Sequence, residues 1–245
     1  DMDRHEIDEA NARIVYDAIS ESILEAIYQR SSSLSGPSIK EFIFQLCRVS
    51  RMQIAGYGGH VGSEANTIDL SSVHYRQQHT LRTNPDTSFY AQPDIFQLEK
   101  LVEVTHYNMD SRPRLVFSDI WTLIAGHLTS TALHSNVAVA MYAVDSFRQL
   151  SIQYLQREEL GGFQFQRKFL KPLETVMARC QHDSIKELLL KCVERVILMF
   201  GSDITEDENG CLDSQSKPRG TLKSGWRPIL TILGLAGRDR NVIIA

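Results

Sequence analysis

The stretch NVAVAMYAVDSFRQLSIQYLQREEL, Asn136 to Leu160, decides the fold. Ala140, Ala143, Val144, Phe147, Leu150 and Tyr154 recur at spacings of three and four, the period of an α-helix that buries one face. Asn136 stands immediately before it as an N-cap, and Gly161-Gly162 stops it. Upstream, the Ser111-Arg112-Pro113 break separates two further helical patterns. One is capped by Asp94 and carries Ile95, Leu98, Leu101 and Val102, and the other carries Val116, Ile120, Leu123, Ile124 and Leu128. Downstream, FQFQRKFLKPLETVMARCQ continues the pattern, with Pro172 expected to kink a helix or to open a new one. Ser184 and Glu187 form a capping box ahead of Ile185, Leu188, Leu189, Cys192, Val193 and Val196.

The same signals frame both ends. A helix from about Glu9 to Arg30 places Val15, Ala18, Ile19, Ile23, Ala26 and Ile27 on one stripe. After a turn with Gly36 and Pro37, Ser38 and Glu41 make a capping box for a helix bearing Ile39, Phe42, Ile43, Leu46 and Val49. The last legible helix contains Trp226, Pro228, Leu230, Leu233 and Ala236, with Ser224 as its candidate cap. No stretch shows sustained β alternation, so the expected class is all-α. Caps at Asp94, Asn136, Ser184 and Ser224 lie 42, 48 and 40 residues apart, each interval holding about two helices. HEAT and armadillo units repeat at roughly 40–47 residues. The expectation is therefore an irregular HEAT/armadillo-like α-solenoid of helical pairs, one helical-repeat region over residues 1–245. Two segments break the pattern: 53–93, polar and glycine-rich, reads as a mobile insertion, and 202–217, with five acids against one lysine, as a solvated acidic linker.

Composition narrows the function classes. The 245 residues are 42% hydrophobic and 23% charged, which excludes a disordered chain. The formal charge of −4 gives no basic balance of the kind nucleic acid would reward, so no nucleic-acid partner is expected. The four cysteines, Cys47, Cys180, Cys192 and Cys211, form no C-x-x-C and read as reduced thiols. No signal peptide or membrane span is legible, which suggests a cytoplasmic protein. The chain starts Asp1-Met2-Asp3 and stops in the uncapped apolar run Asn241 to Ala245, so it is expected to be a piece of a longer protein.

No catalytic constellation stands out. GYGGHVG at Gly56 to Gly62 lacks the lysine and the strand-to-helix context of a phosphate loop. His60, His74 and His79 share the insertion and carry the alternative of a metal-dependent enzyme, without the short ordered spacing that zinc ligands need. Cys180 and His182 are neighbours in sequence, but a nucleophile and its base are assembled by the fold. The fragment is therefore expected to be no enzyme and to need neither metal nor cofactor. The informative polar residues are Asp145, Arg148 and Gln149 inside the most apolar helix, where an i, i+3 ion pair or a partner groove are the two readings. Arg167, Lys168 and Lys171 beside Phe163, Phe165 and Phe169 offer the same choice between stems lying over buried aromatics and a patch for an anionic membrane or a GTPase.

Four blocks also carry a family resemblance. IKEFIFQLCRVS (Ile39 to Ser50), QLEKLVEVTHYNMDSRPRLVFSDIW (Gln97 to Trp121), NVAVAMYAVDSFRQLSIQYLQREELGGFQFQRKFLKPLE (Asn136 to Glu174) and SGWRPIL (Ser224 to Leu230) resemble the region downstream of the catalytic domain, the HDS-type homology region, in the large brefeldin-A-inhibited Golgi Arf exchange factors of the Sec-seven class. The resemblance implies a non-catalytic helical-repeat module that regulates exchange, autoinhibition, and membrane or GTPase recruitment. It also implies peripheral recruitment of the parent to trans-Golgi membranes, and as partners an Arf or other small GTPase, the remainder of its own chain, and a second copy through the parent. A Mon-two-type trafficking scaffold without exchange activity is the alternative within this resemblance. The catalytic block is missing here, so no catalytic residue carries over. The segments 53–93 and 202–217 are longer than the family's core leads one to expect and take no family role.

Overall fold

The computed structural model describes residues 21–55, 95–157, 165–201 and 222–239, with isolated helical residues at 7, 10, 11, 13, 14 and 18. Within them the chain forms eight α-helices and no strand: α1 Glu21–Arg30, α2 Gly36–Ala55, α3 Phe96–Ser111, α4 Arg114–Ala132, α5 Val137–Leu155, α6 Phe165–Arg179, α7 Asp183–Phe200 and α8 Trp226–Ala236. A 3-10 turn, Ser31–Ser33, links the first two.

Each helix packs on the helix two places along, and from α2 onward on a sequence neighbour as well. Thus α1, α3, α5 and α7 form one layer, α2, α4, α6 and α8 the other, and the pairs α2 with α3 and α4 with α5 join them most closely. That is the stacking of an α-solenoid, in which the apolar face of each pair is covered by its neighbours. One continuous core runs between the layers from Ile39 to Ala236. Its centre is aromatic. Phe169 of α6 lies stacked on Trp121 of α4 at 3.8 Å and on Tyr154 of α5 at 4.0 Å between ring centroids, and Phe147 meets Trp121 edge-on. The stripe expected on α5 is fully inside.

The helix starts are where the sequence reading needs correction. Asn136 caps α5 as expected, its side-chain oxygen accepting from the N–H groups of Ala138 and Val139. Ser38 does not open α2: the helix starts at Gly36, and the hydroxyl of Ser35 accepts from Ser38 N at 3.3 Å, moving the cap three residues back. α7 starts at Asp183 behind His182 and α8 at Trp226 behind Gly225, neither with a side-chain cap, so Ser184 and Ser224 are not caps of those helices. Pro172 neither opens nor ends a helix; α6 continues through it. Gln53, Ile54 and Ala55 extend α2, which shortens the expected insertion at its start. The rest of that insertion (56–93), with His60, His74 and His79, the cap Asp94, and the linker 202–217 with Cys211, lie outside the described residues.

Parts of two expected apolar sets are uncovered. Ile23 and Ile27 of α1 are 49% and 48% exposed, and Leu230 and Leu233 of α8 are 61% and 41% exposed. α8 buries the expected Pro228 and Ala236 together with Ile229 and Ile232. These helices lie at the two ends of the described array.

Polar contacts fix the layers. Lys100 of α3 donates to Glu25 of α1 at 2.7 Å and to Glu103 at 2.8 Å. The bonds from the two glutamates outweigh the cost of burial and raise the Lys100 pKa. The buried Asn108 amide donates to Ser31 Oγ and Val104 O, while Arg112 donates to Asn108 Oδ1 and Ser31 O, so the turn before α2 is held by α3. At the other end the buried Lys186 of α7 pairs with Asp239 just past α8.

Candidate interaction sites

The Asp145 group is a network within one helix. Arg148 Nε donates to Asp145 Oδ1 at 2.6 Å and Gln149 Nε2 to Oδ2 at 2.7 Å, both from α5. Burial works to raise the Asp145 pKa, but the bonds from Arg148 and Gln149 outweigh it and hold the carboxyl below its ordinary value. Both oxygens therefore have a donor already.

The three basic residues of α6 do not act as one patch. Lys168 reaches across to α4, donating to Ser118 Oγ at 2.7 Å and Ser118 O at 3.1 Å. Arg167 faces the start of α8, and Lys171 is exposed one turn further on. Of the interleaved aromatics, Phe169 is buried, Phe165 is half-buried beneath the Arg114 guanidinium at 5.0 Å, and Phe163 lies outside the described residues.

What joins Arg167 to α8 is a residue the sequence reading passed over. Gln166 is fully buried, and its Oε1 accepts from the backbone N–H of Lys223 at 2.8 Å and of Gly225 at 3.2 Å. The Ser224 hydroxyl accepts from Arg167 N at 3.4 Å, so it serves the first turn of α6 instead of α8. The turn is closely packed at Gly225, where a Cβ would come within 2.6 Å of Leu222 Cδ1 and displace that side-chain end. Through this clamp Arg167 meets Lys223 and Arg227 at a cleft of about 680 Å³, lined also by Ser224, Trp226 and Leu230. No periodicity could have joined residues more than fifty positions apart. The one legible signal was an uncharged glutamine among apolar positions at a helix start.

A second cleft, of about 770 Å³, opens where α2, α4 and α6 end. Arg51, His127, His134, Arg179, Cys180 and His182 line it. Helix C-termini carry negative partial charge, and Arg179 in the last turn of α6 complements it. His127 is 3% exposed, shares a bond between Nε2 and Ser50 Oγ at 2.9 Å, and is pushed down to about 4 by burial, with the Arg51 charge adding to the shift. Its imidazole is neutral and structural. Cys47 and Cys192 are buried thiols pushed up to about 12, which leaves them without thiolate character near neutral pH. Cys180 Sγ lies 3.8 Å from the carbonyl oxygen of His182, with no nucleophile–base contact to its ring. Among the described residues no group of three or more His, Cys, Asp or Glu side chains is placed to hold a metal ion, and no helix is long and apolar enough to cross a membrane.

Known proteins share the sequence of this region. Residues 153–207, which take in the end of α5 together with α6 and α7, match the family model described as Sec7-like_HDS, Mon2/Sec7/BIG1-like, HDS. The chain is 30% identical over 230 residues to brefeldin A-inhibited guanine nucleotide-exchange protein 4 of Arabidopsis thaliana, covering 93% of the chain and 10% of that protein. It is 30% identical over 218 residues to brefeldin A-inhibited guanine nucleotide-exchange protein 1 of Homo sapiens, covering 89% of the chain and 9% of that protein. The chain thus spans about a tenth of the length of the curated relatives it matches. Residues 153–207 thus match a Sec7-like HDS region, and nearly the whole chain is similar to one segment of the brefeldin A-inhibited guanine nucleotide-exchange proteins.

Proposed function

We propose that the chain is a non-catalytic regulatory helical-repeat segment of a trans-Golgi Arf guanine-nucleotide exchange factor, controlling exchange activity, autoinhibition and recruitment in vesicle trafficking. The observation that carries this reading is the chain-long similarity to a tenth of the exchange proteins, centred on the HDS match. The fold supports it: stacked helical pairs offer extended surface for partners. The whole of 1–245 then acts as one regulatory region, and its contacts are an Arf or other small GTPase, the remainder of its own chain, or a second copy through the parent. The parent is peripheral to Golgi membranes on this reading. Asp145, Arg148 and Gln149 serve packing within α5, and Arg167 and Lys171 serve contact. A pull-down with the immobilised chain tests the proposal, using GDP- and GTP-loaded Arf and the remainder of the parent protein. Capture of at least one is expected; capture of none contradicts it.

The description of the matching family model names Mon2 beside Sec7 and BIG1. That favours a second reading, a segment of a Mon-two-type scaffold without exchange activity. An exchange domain upstream in the parent decides for the first reading, and a parent without one decides for the second.

A further inference from the structure

The cleft between the starts of α6 and α8 has a composition that stability does not explain. Arg167, Lys223 and Arg227 line it, no acid does, and Lys171 stands exposed one turn beyond Arg167. The N-terminus of a helix carries positive partial charge, so stability favours acids in its first turn and disfavours cations. Here neither helix has an acid in its first turn, while Arg167 and Lys168 occupy that of α6 and Arg227 that of α8. Lys168 has an evident structural task at Ser118. Arg167, Lys223 and Arg227 are paired with no carboxylate among the described residues. The cleft at the helix C-termini differs on this point, because there the negative ends of the helices account for an arginine.

We infer that this cleft holds the phosphomonoester group of an anionic membrane lipid's headgroup, with Arg167, Lys223 and Arg227 as its cationic wall and Leu230 entering the membrane interface. Converging Lys and Arg side chains suit a phosphate, and the positive end of the α8 dipole favours one there. A lipid is preferred over a soluble anion because of the neighbouring apolar surface. Leu230 is 61% exposed and lines the same cleft, and Leu233 follows one turn on. Cations beside exposed apolar side chains meet phosphates and the acyl boundary together at a membrane surface. The inference rests on the recruitment part of the function proposed above and names its ligand.

Vesicle flotation of the 245-residue chain tests it, with phosphatidylcholine vesicles carrying a phosphatidylinositol monophosphate or phosphatidylserine at matched charge. The phosphoinositide vesicles should bind the chain more tightly. The Lys223→Gln/Arg227→Gln variant should weaken that binding about thirty-fold, at the usual worth of two cations near an anionic surface. Leu230→Ser should weaken vesicle binding and leave binding of soluble inositol phosphate unchanged. All the substituted side chains are exposed, and circular dichroism confirms that the variants are folded. Absence of flotation, equal flotation of the double variant, equal binding to phosphatidylserine vesicles, or a Leu230→Ser variant that floats like the parent chain would each overturn the inference. A chain that fails to float yet still captures Arf or the remainder of its parent overturns the lipid site alone. One that floats as expected and captures neither overturns the regulatory reading alone.

Discussion

His127 shows how a side chain's surroundings override its type. Its ring is buried between α2 and α4, and its folded pKa of about 4 lies below the ordinary 6.5. The unfolded chain therefore binds more protons between those two values, and stability rises with pH across that window. The contribution is complete above about pH 6.5 and is lost progressively as the pH falls toward 4, on the order of 3 kcal/mol in all. Urea denaturation from pH 7 to pH 4.5 should show this slope, and His127→Gln should flatten it; an unchanged slope would refute the assignment. Phe169 is the matching case among apolar residues. Stacked between Trp121 and Tyr154, it joins three helices, so Phe169→Ala should cost about 3–5 kcal/mol in the same assay, while Lys171→Ala, exposed on the same helix, should stay within about 0.5 kcal/mol. Burial of Phe169 was one of the two readings open for the aromatics beside Arg167 and Lys171. The neutral state of His127 was not legible, because it depends on burial against α2, whose Ser50 and Arg51 lie far away in sequence.

Among the elements, those with long and strongly patterned faces were read correctly, and their starts were read less well. α5 has a long apolar stripe at helical spacing and an asparagine where the chain turns, so stripe and cap point to one register. Asn136→Ala should cost about 1 kcal/mol in thermal unfolding. Ser184→Ala should cost almost nothing, since α7 already starts at Asp183 and no side chain caps it. A loss at Ser184 as large as that at Asn136 would contradict the described start of α7. In α8 only part of the buried face was legible, for a different reason. Its eleven residues are apolar on nearly every side, so spacing does not decide that Ile229 and Ile232 join Pro228 and Ala236 inside while Leu230 and Leu233 stay exposed. The choice is made outside the helix, by the buried Gln166 side chain that fixes the turn at Lys223 and Gly225.

For the molecule as a whole, the repeat spacing was enough to anticipate stacked pairs because a helical pair has one apolar face to cover and the next pair covers it. What spacing cannot show is which charged residues from different pairs meet. Arg167 with Lys223 and Arg227 is such a meeting, and it arises only once α8 lies on α6. The array also leaves apolar residues exposed on both of its outer helices, which suits a segment of about a tenth of a long relative. The central claim is that this segment regulates exchange without performing it. Its most direct test is the rate of GDP-to-GTP exchange on Arf in the presence of vesicles, measured for the isolated chain, the parent protein and the parent with the segment removed. The account predicts no acceleration by the isolated chain and a several-fold change in the parent's rate on removal. Acceleration by the chain alone, or an unchanged rate after removal, would contradict it.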